Sequence, residues 1–184
     1  MDITLLILVA IAAVVLHYVW SIYNNLATGK VRIEEALSGI DVQLKRRVDL
    51  IPNLLETVKG YAKHEKEIFE NVTKARSSLV NAESPAEKAQ GDNMLAGALK
   101  SLFAIAENYP TLKASDNFKE LQEELEDTEN KIAYSRQFYN SVVMDYNAKL
   151  QVFPNVFFAK ILNFKPAEFF AATEAEKKEV KVSF

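Results

Sequence analysis

The stretch from Ser115 to Phe153, SDNFKELQEELEDTENKIAYSRQFYNSVVMDYNAKLQVF, sets Phe118, Leu121, Leu125, Thr128, Ile132, Ser135, Tyr139, Val142, Tyr146, Lys149 and Phe153 in unbroken three-four alternation. Eight of these eleven positions are apolar or aromatic. Residues three and four apart stack on one face of an α-helix, so the run predicts one amphipathic helix, capped by Ser115 and stopped at Pro154. At the helical rise of ~1.5 Å per residue it is about 57 Å long. Its other face, KELQEELEDTENK, is a solvated charge run. So long a stripe demands partner helices of comparable length.

Upstream, Tyr109-Pro110 is a stop and residues 111–115 read as a short loop. Before them, Leu95, Ala98, Leu102, Ile105 and Tyr109 step in fours and threes, giving a helix over about 85–108. Its start is explicit: Ser84-Pro85-Ala86-Glu87 combines a capping serine, a proline at the first helical position and a glutamate three after the cap. Further back, Ile33, Leu37, Ile40, Leu44, Val48, Ile51, Leu55, Val58, Ala62, Phe69, Val72 and Leu79 make a narrow stripe, read as one helix over about 31–82. Pro52 deletes the bond to the Val48 carbonyl and is expected to kink this helix between Val48 and Pro52.

At the N-terminus, Ile3 to Tyr23 (ITLLILVAIAAVVLHYVWSIY) is uncharged and spans about 30 Å as a helix, the thickness of a bilayer's hydrocarbon core. Tyr18, Trp20 and Tyr23 gather at its C-terminal end, where an interfacial belt lies. The only side-chain charge before the span is Asp2, which argues against a cleaved signal peptide. Lys30, Arg32 and then Lys45, Arg46 and Arg47 follow it, so the expected orientation puts the N-terminus outside and the remainder in the cytoplasm.

At the other end, seven of the 11 phenylalanines fall in residues 153–184. A helix over about 155–172 is expected there, with Phe157, Phe158, Ile161, Phe164 and Phe170 capping the bundle end in preference to forming a self-association or membrane-surface patch. The fold class is therefore all-α: a transmembrane anchor over 1–24, an elongated antiparallel helical bundle over 25–175 with three long helices and a short aromatic-rich C-terminal one, and a charged tail over 176–184.

Composition narrows the chemistry. The 184 residues are 49% hydrophobic and 26% charged, as in an ordinary globular protein, with net charge −3, the wrong balance for a general nucleic-acid binder. The absence of cysteine removes thiol nucleophiles, disulfides and thiolate metal sites. His64 is the only histidine beyond the span, no glutamate stands three residues before it and no second histidine follows at Ile68, so neither a Glu-x-x-His pair nor a zincin motif is present. The five glycines form no phosphate loop or dinucleotide fingerprint. No catalytic residue, cofactor or metal is expected.

The most unusual stretch is Ile40 to Leu54, where Asp41 and Asp49 bracket Lys45-Arg46-Arg47. Asp41 and Lys45 form an i,i+4 pair of the favourable orientation. On a continuous helix Lys45 lies about 33 Å beyond Tyr23, so an internal ion-pair network, a sister subunit or a protein partner fits the triplet better than lipid does.

Five segments together, Tyr23-Asn24, IDVQLKRRVDLIPNLLETVKGYAKHE from Ile40 to Glu65, Ala75-Arg76, YNSVVMDYN from Tyr139 to Asn147 and FPNVFFAKILNF from Phe153 to Phe164, resemble the LemA family over nearly the whole chain. The resemblance implies a bacterial inner-membrane protein with one transmembrane helix, a helical cytoplasmic domain and no established activity. The matching positions are Asp41, Gln43, Lys45, Arg46, Arg47, Asp49, Pro52 and Asn53, with Tyr139, Asn140, Tyr146 and Asn147. Asn163 replaces a family glycine, which puts the usual helix stop there in question. Tyr139 and Tyr146 lie one heptad apart, and Asp41, Arg47 or Asn53 are the expected partners of their hydroxyls. Arg47 is the expected donor to the freed Val48 carbonyl, tying the proline to that seam.

The function expected from all this is a non-enzymatic, membrane-anchored scaffold that assembles as a homo-oligomer. The alternative is an adaptor or regulator of a membrane peptidase or envelope-stress machine, with a membrane protein as partner.

Overall fold

The structure is a computed structural model that describes residues 3–170. Six helices follow one another: α1 (Ile3–Tyr61), α2 (Lys66–Val80), α3 (Pro85–Ala106), α4 (Pro110–Lys113), α5 (Asp116–Gln151) and α6 (Asn155–Ile161). No strand occurs among the described residues, in keeping with an all-helical chain. The charged tail over 176–184 lies outside them.

Helix α1 changes its surroundings along its length. From Ile3 to Tyr18 every residue is exposed, and burial starts at Ile22. This first part is long and apolar enough to cross a membrane, which suggests membrane anchoring. The second part buries Ile33, Ile40, Leu44, Val48, Ile51, Leu55 and Val58, the stripe read from the sequence. At ~1.5–3 kcal/mol for each large aliphatic side chain removed from water, this face supplies the dominant attraction between α1 and its neighbours.

The segment expected as one helix over 31–82 is two. Pro52 lies inside α1 without ending it, and the chain turns instead at Lys63-His64. There α2 folds back, placing Lys59 5.6 Å from the Phe69 ring and Arg76 against Val48. The stripe keeps its phase across the turn because α2 presents Phe69, Val72 and Leu79 to the surface from which it came.

Helix α3 opens on the expected capping box: Ser84 Oγ accepts from Glu87 N–H, and the Glu87 carboxylate accepts from the Ser84 and Glu83 N–H groups. It packs on α2 closely enough that a Cβ at Gly91 would stand 2.8 Å from Leu79 Cα. Residues 111–115, expected as loop, hold the single-turn α4, started by Pro110. Ser115 stands at the α5 N-cap, but its side chain makes no capping bond.

Helix α5 runs antiparallel along α1, with Arg46 opposite Glu124 and Asp127 and Gly29 opposite Tyr146. Its seam drifts at the C-terminal end, where Val143 and Leu150 are buried and Phe153 is exposed. A helix of 3.6 residues per turn rotates by ~20° per heptad against a strict three-four alternation, which explains the shift.

The aromatic C-terminus divides. Helix α6 ends at Ile161 in place of 172, and residues 162–170 are not helical. Asn163 adopts φ 57°, and the two bonds Phe164 N–H to Ala159 O (2.9 Å) and Asn163 N–H to Lys160 O (3.2 Å) close a Schellman stop. Asparagine thus fills the left-handed position of the family glycine, and the stop is kept. Phe170 is buried and Phe158 and Phe164 are half-buried, whereas Phe157 and Ile161, also expected in the cap, face outward.

Candidate functional site

The sequence-derived site residues fall into two separate constellations. The first lies in the part of the bundle formed by α1, α2, α3 and the start of α5. Arg47 is buried and donates to Asp92 Oδ1 on α3 at 2.9 Å, with Glu129 of α5 at 3.6 Å. Burial pushes the Asp92 carboxyl above its ordinary range, against the opposing pull of Arg47 and then Arg136. Around this pair, Lys88 binds both oxygens of Asp41 at 2.6 and 2.8 Å, and Arg46 bridges Glu124 and, at 3.1 Å, Asp127. Asp127 also accepts from Lys131, which with Arg46 holds its carboxyl below the usual range.

Asp41 and Lys45, expected to pair, each choose another partner. Asp41 takes Lys88, and Lys45 reaches Asp49 at 2.9 Å on the exposed side. Pro52 and Asn53 are solvent-exposed. The Val48 carbonyl accepts from Arg76 Nε at 3.1 Å, not from Arg47. Arg47 is committed to Asp92, while α2 folds Arg76 back to the level of the proline. Arg47 Nε and Gln43 Oε1, one turn apart, are buried with no hydrogen-bond partner among the described residues.

The second constellation lies on the C-terminal half of α5, toward the apolar end of α1. Tyr139 donates to the Glu168 carbonyl (2.8 Å) and Tyr146 to the Lys165 carbonyl (3.2 Å). Each neighbouring asparagine makes a matched pair of bonds. Asn147 donates to Ala167 O (2.9 Å) and accepts from Ala167 N–H (2.8 Å), and Asn140 does the same with Phe170 (3.0 and 2.8 Å). Two Tyr-Asn pairs one heptad apart thus hold residues 165–170 along α5 through their backbone. Phe170 completes the hold, its ring edge-to-face with Tyr139 and with the Arg136 guanidinium over it.

The expected link between the two constellations is therefore corrected. The antiparallel register sets Arg47 level with Glu129 and Gly29 level with Tyr146, which puts Arg47 and Asn53 far along the rod from both tyrosines, while Asp41 is taken by Lys88 of α3 and the two hydroxyls by the Glu168 and Lys165 carbonyls. Burial raises the phenol pKa of both tyrosines, and both stay neutral donors.

Sequence reading missed Asp92, Glu129 and the closely packed Gly29 and Gly91, and singled out Arg76 without a role. Asp92 had a signal: it stands three and seven residues before Leu95 and Leu99, a lone carboxylate on an apolar face. Chemically, both constellations are devices for joining segments. Among the described residues no group of three or more side chains is arranged to hold a metal ion, and His64 sits exposed in the α1–α2 turn.

The profile of the LemA family matches residues 36–184, which include both constellations. Protein LemA of Metamycoplasma hominis is 29% identical, over 87% of this chain and 74% of its own length. Magnetosome protein MamQ 1 of Paramagnetospirillum magneticum is 29% identical and magnetosome protein MamQ of Magnetospirillum gryphiswaldense 28% identical, each over 80% of this chain. The match spans 64% of the length of each MamQ protein.

Proposed function

The chain belongs to the LemA family, and from that premise we propose that it is a non-enzymatic helical scaffold of the bacterial inner membrane, with its bundle in the cytoplasm, that assembles with further copies of itself. The observation that carries this reading is on α5: Tyr134 and Phe138, one turn apart, are 73% and 54% exposed on the outer face of a long, laterally braced rod. Two adjacent large aromatic side chains left in water are the composition of an interface centre, where tyrosine and phenylalanine are enriched. The rod itself supports a spacing role, since α1 continues from the apolar span for about 57 Å as one helix. Lys30 and Arg32 directly after the span support the cytoplasmic orientation. The names of the MamQ relatives refer to a structure, the magnetosome, and not to a reaction.

Light scattering of the purified full chain in mild detergent tests the proposal. The expected result is a multimer that Y134E/F138E converts to a monomer while the helical signal is retained. A wild-type monomer at all concentrations overturns the scaffold reading. A reporter fused after Phe184 tests orientation and is expected to be active only in its cytoplasmic form.

A further inference from the structure

We propose that α6 and the turn before it form a second membrane contact, with Phe153, Phe157 and Ile161 seated in lipid at the headgroup boundary on the side of the bilayer that carries the bundle. The inference rests on α1 crossing that bilayer.

Phe153, Phe157 and Ile161 follow at four-residue steps and are 80%, 59% and 78% exposed. They form a patch, for the Phe153 and Phe157 rings meet edge to face with centroids 6.0 Å apart. The opposite side of α6 is fixed. Ala159 is buried, Phe158 packs on Tyr18 at 6.5 Å, and Phe164 packs on Tyr23 at 5.8 Å. These two contacts set the depth of the helix. Tyr18 and Tyr23 belong to the aromatic cluster at the end of the apolar span, about 7.5 Å apart along the axis. An element held against both lies at the level where amphipathic aromatic rings meet the headgroups. The patch therefore stands at the depth where the exposed apolar surface of residues 3–18 ends. The occupant that already covers that surface, lipid, covers the patch as well. Lys160, exposed beside Ile161, suits the position, since its stem can run along the acyl boundary while the ammonium reaches the phosphates.

This second contact changes what the anchor does. A single spanning helix leaves the bundle free to tilt and spin about its axis. An apolar element lying in the interface beside it resists tilt of the rod and holds α1 at one depth in the bilayer.

The chain contains no cysteine, so single-cysteine variants can be labelled with a nitroxide at one chosen place. F157C and I161C are made in the full chain, with L8C as the hydrocarbon control and V42C, exposed and about 28 Å beyond Tyr23, as the aqueous control. In vesicles of phosphatidylcholine with a minor share of phosphatidylglycerol, accessibility to oxygen is compared with accessibility to a water-soluble nickel chelate. The expected result is a several-fold preference for oxygen at both α6 positions, between the two controls. An aqueous ratio at both, with L8C in lipid, overturns the α6 contact and leaves the anchor standing. Exclusion of both reagents with spin–spin broadening makes the patch a contact between copies and overturns it too. An aqueous ratio at L8C removes the anchor, and the proposal with it.

Discussion

The far half of the rod and the near half, beside the apolar stretch of α1, share the same two helices, α1 and α5, yet are closed by different chemistry. In the far half, third and fourth helices pack on the pair, and side chain meets side chain: Arg47 with Asp92, Lys88 with Asp41, Arg46 with Glu124. In the near half the short α6 and the non-helical segment after it close the pair, and side chains meet backbone: Tyr139, Asn140, Tyr146 and Asn147 bind carbonyls and N–H groups of residues 165–170. Charge pairs specify which residues must face each other. Amide-to-backbone pairs specify a path and are nearly indifferent to the side chains that travel along it. The far half is thus fixed by composition on both sides of each contact, the near half by composition on one side only.

That difference puts the largest single loss at Arg47. Arg47→Ala takes from the buried Asp92 carboxylate its hydrogen-bonded partner, a change that typically costs about 3–5 kcal/mol. Arg46, half-exposed, is expected to cost no more than about 1 kcal/mol when changed to alanine. Thermal loss of helical signal in micelles measures both, and equal effects would erase the contrast between a buried brace and a surface one.

Glycine substitutions probe the same contrast through packing. A Cβ at Gly91 meets Leu79 backbone atoms at 2.8 and 3.1 Å, which can retreat only if α2 moves. A Cβ at Gly29 meets the Tyr146 ring at 2.9 Å, a side chain that can rotate at the expense of its bond to Lys165. Overpacking of this kind costs about 1–3 kcal/mol. Gly91→Ala is expected near the top of that range, with loss of helix pairing in the far half. Gly29→Ala is expected lower, its effect confined to the near half, and the same unfolding series separates the two.

How far each half was legible in the sequence follows from the same chemistry. The apolar stripes of α1 and α5 are periodic, and the anchor and capping box are local, so they could be read directly. The turn at Lys63-His64 was hidden because helix phase survives a reversal that brings both faces onto one core. The partners of Asp41 and Arg47 were hidden because a charge reports that it needs a counter-charge, not where the fold brings one. Asn140 and Asn147 could be singled out, but their partners are backbone groups of Phe170 and Ala167, which carry no side-chain signature at all.

Asn147→Ala sharpens the comparison at smaller amplitude. It strands the Ala167 N–H and C=O, about 1–3 kcal/mol for a half-buried pair, and releases a segment rather than a helix. Hydrogen exchange of the full chain in micelles should show faster exchange at Ala167 and Phe170, with the amides around Asp92 unchanged. Faster exchange in both halves would mean that the two are one cooperative unit.

The smallest expected effects are in acid, and there two carboxyls of α3 oppose each other. Glu87 is held below its ordinary range by the Ser84 and Glu83 N–H groups, so the folded chain binds its proton less readily than the unfolded one. Its contribution is complete above the ordinary glutamate range and is lost as pH falls through the lowered folded value. Asp92 is raised by burial, so the folded chain binds that proton more readily. Stability linked to Asp92 therefore falls as pH rises from the ordinary aspartate range through the raised folded value. Glu87→Gln should flatten the rising limb of stability against pH, and Asp92→Asn, beyond its overall cost, should remove the falling one. Unfolding midpoints of the two variants across the acid range measure both slopes. Parallel displacement of the two curves, with no change of slope, would show that neither carboxyl changes its proton affinity on folding.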